Sequence, residues 1–177
     1  EAAVRRFLHW QQLMHTIGAD GLGKEARRGL YGELYFLREH LLNVLPQATA
    51  TEAWTGPEGT NQDFQLSTCA VEVKTTATKN PVTLRIASER QLDGTGVGRL
   101  FLLLVSLDER RGGSGESLNT AVDRVRFMLN SPGAAARFDT QLARTGYFAH
   151  QRELYDEPRY TLRRVDMWSV EGGFPRL

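Results

Sequence analysis

The sequence predicts a single α/β domain of the α+β kind, with helices before and after a central, partly antiparallel sheet. Three observations carry this: an early stripe of leucines at helical spacing, a middle section in which apolar residues recur every second position, and a return to helical spacing afterwards. In order, Val4, Phe7, Leu8, Gln11 and Leu13 begin a helical period that decays at Gly18, and the glycines from Gly18 to Gly23 mark a loop. Leu30, Leu34, Leu37, Leu41 and Leu45 then fall at steps of four and three, one apolar face that stops before Pro46. Strands are expected over 49–54, 63–66, 71–75, 82–86 and 100–107. Leu118, Val122, Val125 and Leu129 restore the helical step, and Ser131-Pro132 is an N-cap and first-turn pair for a helix reaching Arg144. A last strand is expected over 160–170. No internal repeat or low-complexity segment interrupts the series.

Composition limits the function classes. The chain has 177 residues, 41% of them hydrophobic, which suits one domain over 1–177, with 1–23 an N-terminal helix and loop. Its 22 Lys and Arg stand against 21 Asp and Glu, so any attraction to nucleic acid has to be local. One cysteine, Cys69, forms no internal disulfide, and no Cys/His spacing resembles a zinc site, which favours a cytoplasmic setting. The most apolar run, 100–107, is far shorter than the roughly 20 residues of a membrane helix, so no membrane partner is expected. Because the chain opens at Glu1 and enters directly on a helical pattern, a piece of a longer protein is expected.

The chemistry gathers on a hairpin. In Asp63-Phe64-Gln65-Leu66 and Val71-Glu72-Val73-Lys74, apolar and polar residues alternate on both sides of a turn at 67–70. Pairing Phe64 with Val73 and Leu66 with Val71 makes one apolar face, leaving Asp63, Gln65, Glu72 and Lys74 on the other. That register sets Asp63 opposite Lys74 and diagonal to Glu72. Two carboxylates on one face repel each other and favour a hard cation such as Mg²⁺. A lysine beside them could hold or help deprotonate an attacking water and offset charge on a phosphate, so these three suffice for metal-assisted phosphodiester hydrolysis. The same alternation equally suits a solvated hairpin face with an ordinary ion pair.

Asp63 followed by Val71-Glu72-Val73-Lys74 resembles the signature of the PD-(D/E)XK nuclease superfamily. Gly29-Leu30-Tyr31-Gly32-Glu33-Leu34-Tyr35-Phe36-Leu37, Trp54-Thr55-Gly56-Pro57, Glu72-Val73-Lys74-Thr75-Thr76, Gln91-Leu92 and Phe174-Pro175-Arg176 extend the likeness over most of the chain, toward a PD-(D/E)XK family found beside bacterial restriction and phage-defence genes. The resemblance implies a restriction-endonuclease-like mixed sheet flanked by helices and a metal-dependent DNA endonuclease. It implies Asp63 and Glu72, with Val73 between glutamate and lysine, as the metal set for Mg²⁺ or Mn²⁺, and Lys74 as the catalytic lysine. Glu33, on the border of the leucine stripe, is the candidate for a further acidic residue delivered by a helix. Gln62 replaces the name-giving proline.

Gln91, after a possible N-cap at Ser88, is a candidate contact to phosphate or water, or a surface glutamine. Lys79, Arg85 and Arg90 are candidate grips on a nucleic-acid backbone. Trp54 reads first as a core residue that could also shape the site. Gly94-Thr95-Gly96-Val97-Gly98 precedes a strand and opens no helix, so it fails as a dinucleotide fingerprint. The expected partner is DNA, with a homodimer or other restriction or defence subunits as further candidates. A non-catalytic DNA-binding or subunit-interaction module is the alternative.

Overall fold

A computed structural model of the chain describes residues 21–78 and 98–171. The 4–13 helical pattern, the 82–86 strand and the closing Phe174-Pro175-Arg176 lie outside the described residues.

The leucine stripe forms α1, Lys24–Phe36, which runs on through a π-helical turn at Leu37–Leu41. Leu30, Leu34, Leu37 and Leu41 are all buried, and Leu45 packs against the same core. The wide turn closes with the Leu42 N–H donating to the Leu37 carbonyl at 2.9 Å. It coincides with Arg38, whose guanidinium grips both oxygens of Glu116 at 2.7 and 3.2 Å.

The expected strand at 49–54 is a helix instead. Here α2 covers Gln47–Ala53, with Pro46 at its N-cap position. The Ala-Thr-Ala-Thr alternation imitates a strand, but the buried residues Ala50, Ala53 and Trp54 follow the helical i, i+3, i+4 step. Thr51 turns its hydroxyl back to the Gln47 carbonyl at 3.0 Å, which meets its polar need inside the helix.

Four strands make a mixed sheet in the order β1-β2-β3-β4: β1 Phe64–Gln65, β2 Ala70–Thr76, β3 Leu100–Arg110 and β4 Arg159–Ser169. The β1/β2 and β3/β4 pairs are antiparallel, and β2 runs parallel to β3. Val71, Val73, Leu103, Val105 and Leu107 share the sheet face buried in the main core with the helices. Glu72 and Lys74, one residue out of phase, take the other face beside Leu102 and Leu104.

The hairpin register differs from the expected one by two residues. Phe64 pairs with Val71 and Gln65 with Ala70, and the Leu66 N–H meets the Cys69 carbonyl at 2.8 Å. The turn is therefore shorter than expected, and Ala70 already belongs to the strand. An even shift exchanges partners without exchanging faces, so Phe64, Val71 and Val73 remain in the core and Leu66 packs against it. Continued by one residue, the register sets Asp63 opposite Glu72 rather than Lys74.

Two helices complete the core. In α3, Leu118–Met128, the Ser117 hydroxyl caps the Thr120 N–H at 3.1 Å. In α4, Pro132–Arg144, Ser131 holds the N-cap position but its side chain makes no cap bond. The Gln47 side chain instead accepts from the N–H groups of Asn130 and Ser131 at 2.9 and 3.0 Å, tying α2 to the start of α4. No helix among the described residues is long and apolar enough to cross a membrane.

Candidate active site

Glu33 reaches the sheet because α1 approaches it closely. A Cβ on Gly32 would run into the Thr75 methyl and crowd Val73, so only glycine lets the helix lie this near β2. The next residue along the helix is Glu33. Its Oε2 accepts the indole N–H of Trp54 at 2.7 Å.

Asp63 is fixed from two sides. Its carbonyl accepts the N–H groups of Thr55 and Gly56 at 3.0 and 2.9 Å, and its Oδ2 accepts the Val73 N–H at 2.7 Å. Gly56 is the second glycine that a close approach demands: a Cβ there would stand 3.0 Å from Asp63 Oδ1 and 3.1 Å from its Cα.

On β2, Glu72 is only 1% exposed, and Lys74 Nζ lies 2.7 Å from its Oε1. At that distance the ammonium pairs with the carboxylate and favours its charged form. A carboxylate this deeply buried would be costly without such a cation beside it.

The electrostatics follow from crowding. Burial pushes the Glu72 carboxyl up to about 7, helped by the negative charge of Asp63 and opposed by Lys74. Burial also raises Glu33 well above the ordinary carboxylate range; Asp63 adds to the shift, while the Trp54 N–H and Lys74 work against it. Asp63 is raised by burial and held back by the Val73 N–H and by Lys74. Three mutually repelling carboxylates thus face one ammonium group.

The structure brings Glu33, Asp63, Glu72 and Lys74 into electrostatic contact. Val73 belongs to this neighbourhood through its backbone alone. Its side chain is in the core and its N–H is taken by Asp63, leaving the carbonyl, which points to the same strand edge, as its only possible ligand atom. Gln91, Lys79, Arg85 and Arg90 lie outside the described residues. Sequence reasoning missed the hydrogen bond from Trp54 to Glu33 and the buried Gln141, whose Nε2 donates to the Trp54 carbonyl at 2.7 Å. The Trp-Thr-Gly-Pro segment signalled the first; nothing in the pattern of α4 signalled the second.

A hard divalent cation fits this donor set. The excess of carboxylates, Glu33, Asp63 and Glu72, over the Lys74 ammonium calls for further positive charge. Among the described residues no group of three or more Asp, Glu, His or Cys side chains is placed to hold a metal ion by itself.

A mixed sheet that carries Asp, Glu-x-Lys and a helical Glu defines the PD-(D/E)XK nuclease-like class. The chain belongs to the family described as Putative PD-(D/E)XK family member (DUF4420), whose model matches residues 1–177. No curated protein and no solved structure matches it.

Proposed function

We propose that the chain is a metal-dependent DNA endonuclease of restriction or phage-defence type, with Asp63 and Glu72 as metal ligands, Lys74 as the catalytic lysine and Glu33 as a further acidic group. The observation that carries the reading is the Asp63, Glu72 and Lys74 cluster, in which Lys74 Nζ lies 2.7 Å from the buried Glu72 Oε1 and Asp63 Oδ2 accepts the N–H of Val73, the residue between Glu72 and Lys74. Asp63, Glu72 and the Val73 carbonyl would hold Mg²⁺ or Mn²⁺. Such an ion supplies Lewis-acid polarisation of a phosphate and lowers the pKa of water.

The chain's own groups do the rest. Lys74 Nζ, with its side chain 17% exposed, can donate to the attacking water and orient it toward phosphorus. The same ammonium offsets the charge that builds on the phosphate oxygens in the transition state. The Val73 N–H keeps Asp63 Oδ2 turned toward β2, which limits the freedom the carboxylate would otherwise lose on binding. Trp54 occupies Oε2 of Glu33 and fixes the direction of its carboxylate. Lys79, Arg85 and Arg90 are assigned to the DNA backbone and Gln91 to a phosphate or water contact, as their types suggest.

Incubating the purified chain with supercoiled plasmid tests the reading. Nicking and linearisation should require Mg²⁺ or Mn²⁺, stop on addition of EDTA, and fall by orders of magnitude in Lys74→Ala. Cleavage by Lys74→Ala at the wild-type rate would overturn it.

A further inference from the structure

We infer that Trp54 is a positioning residue of the proposed active site: its indole N–H holds the Glu33 carboxylate, and its backbone holds the start of β1, so one residue ties Glu33 to the segment that carries Asp63. The inference rests on the nuclease reading for its kinetic consequence and on geometry alone for the rest.

Trp54 is fully buried, and the indole N–H has no partner to spare: it donates to Glu33 Oε2 at 2.7 Å. An indole nitrogen is only a donor, so the bond fixes which oxygen of Glu33 is taken and in which direction the other points. Packing and hydrogen bonding lock the ring in turn. Phe138 of α4 stacks on it with centroids 5.7 Å apart, and Gln141 Nε2, fully buried on the same helix, holds the Trp54 carbonyl at 2.7 Å.

The backbone link is independent of the side chain. Trp54 forms an antiparallel bridge with Phe64, and the next two residues, Thr55 and Gly56, donate to the Asp63 carbonyl. The residue that aims Glu33 is therefore clamped to the residues around Asp63. A buried indole N–H has to find an acceptor, and here that acceptor is a carboxylate of the proposed site. Groups that orient ligands in this way typically contribute 10-fold to 100-fold to metal affinity or activity.

Trp54→Phe tests this, because it preserves the stack on Phe138 and removes the N–H. With the fold checked by circular dichroism, kcat for plasmid cleavage should fall about 10-fold to 100-fold while KM for DNA changes less than about twofold. Calorimetric titration should show Mn²⁺ binding weakened in the same variant. A second measurement needs neither cleavage nor a folded Trp54→Phe. In the wild-type protein, the Trp54 indole N–H resonance should lie downfield and exchange slowly, move on Glu33→Gln substitution, and respond to Mn²⁺-free Mg²⁺ titration, while the resonance of exposed Trp168 stays in place. An indole resonance indifferent to both Glu33→Gln and Mg²⁺ would overturn the inference, as would unchanged metal affinity in a folded Trp54→Phe. If wild-type chain cuts no DNA but the resonance responds as described, the nuclease reading fails and the positioning role stands.

Discussion

At the residue scale, Glu72 and Lys74 divide the work by charge. Glu72→Ala removes a proposed ligand oxygen and a negative charge together, so Mg²⁺ binding and cleavage should be lost in parallel. Lys74→Ala removes the ammonium 2.7 Å from Glu72 Oε1, so the carboxylates attract a cation more strongly. Calorimetry should find its Mg²⁺ affinity equal to or above wild type, even where cleavage is undetectable. Loss of metal binding in Lys74→Ala would show that the lysine organises the carboxylates instead of acting on the reaction. That Glu72 and Lys74 share a strand face was legible in the sequence, because alternation sets which side chains point the same way. Trp54 was half legible: its burial followed from its type, but the direction of its N–H depends on a helix 21 residues away in sequence.

At the element scale, the site depends on how closely α1 lies against β2. Gly32→Ala would thrust a methyl group into Thr75 and Val73, and overpacking of this kind costs about 1–3 kcal/mol. Adding Thr75→Ser, which removes the obstructing methyl, should recover most of that loss. A double-mutant cycle measured by urea denaturation would show the coupling, and strictly additive effects would contradict the geometry. The helices α1, α3 and α4 and the strands β2, β3 and β4 announced themselves through long, regular periods. The short α2 did not. Within its seven residues the Ala-Thr-Ala-Thr run at 48–51 satisfies both periods, and only the core around Ala50 and Ala53 selects the helix.

At the scale of the whole molecule, a crowded acidic site is a standing charge on stability. Folded Glu72 keeps its proton up to about pH 7, whereas an unfolded glutamate releases it near 4.5. Between those values the folded state binds more protons, so metal-free protein should lose stability as pH rises through the interval and keep it in full below. At about 1.4 kcal/mol per tenfold change in proton affinity, the loss is on the order of 3 kcal/mol. Thermal unfolding in EDTA should therefore give a lower Tm at pH 8 than at pH 5.5, and Glu72→Gln should flatten the dependence. Mg²⁺ should raise Tm more at pH 8 than at pH 5.5, because it binds the ionised form. A Tm in EDTA that climbs from pH 5.5 to pH 8 would contradict this account of the site.

The amino-acid sequence by itself determined the class of the fold, the faces of the central strands and the residue types that meet on them, since those follow from local periodicity and a side-chain repeat of two. Tertiary structure alone decided the rest. It chose the two-residue shift that sets Asp63 opposite Glu72, turned the 49–54 segment into a helix, and brought Glu33 and Trp54 together beside β2. Each of those outcomes depends on contacts between segments distant in the chain. A shift of two preserves every face, and a short Ala-Thr run suits either period, so local pattern is blind to both.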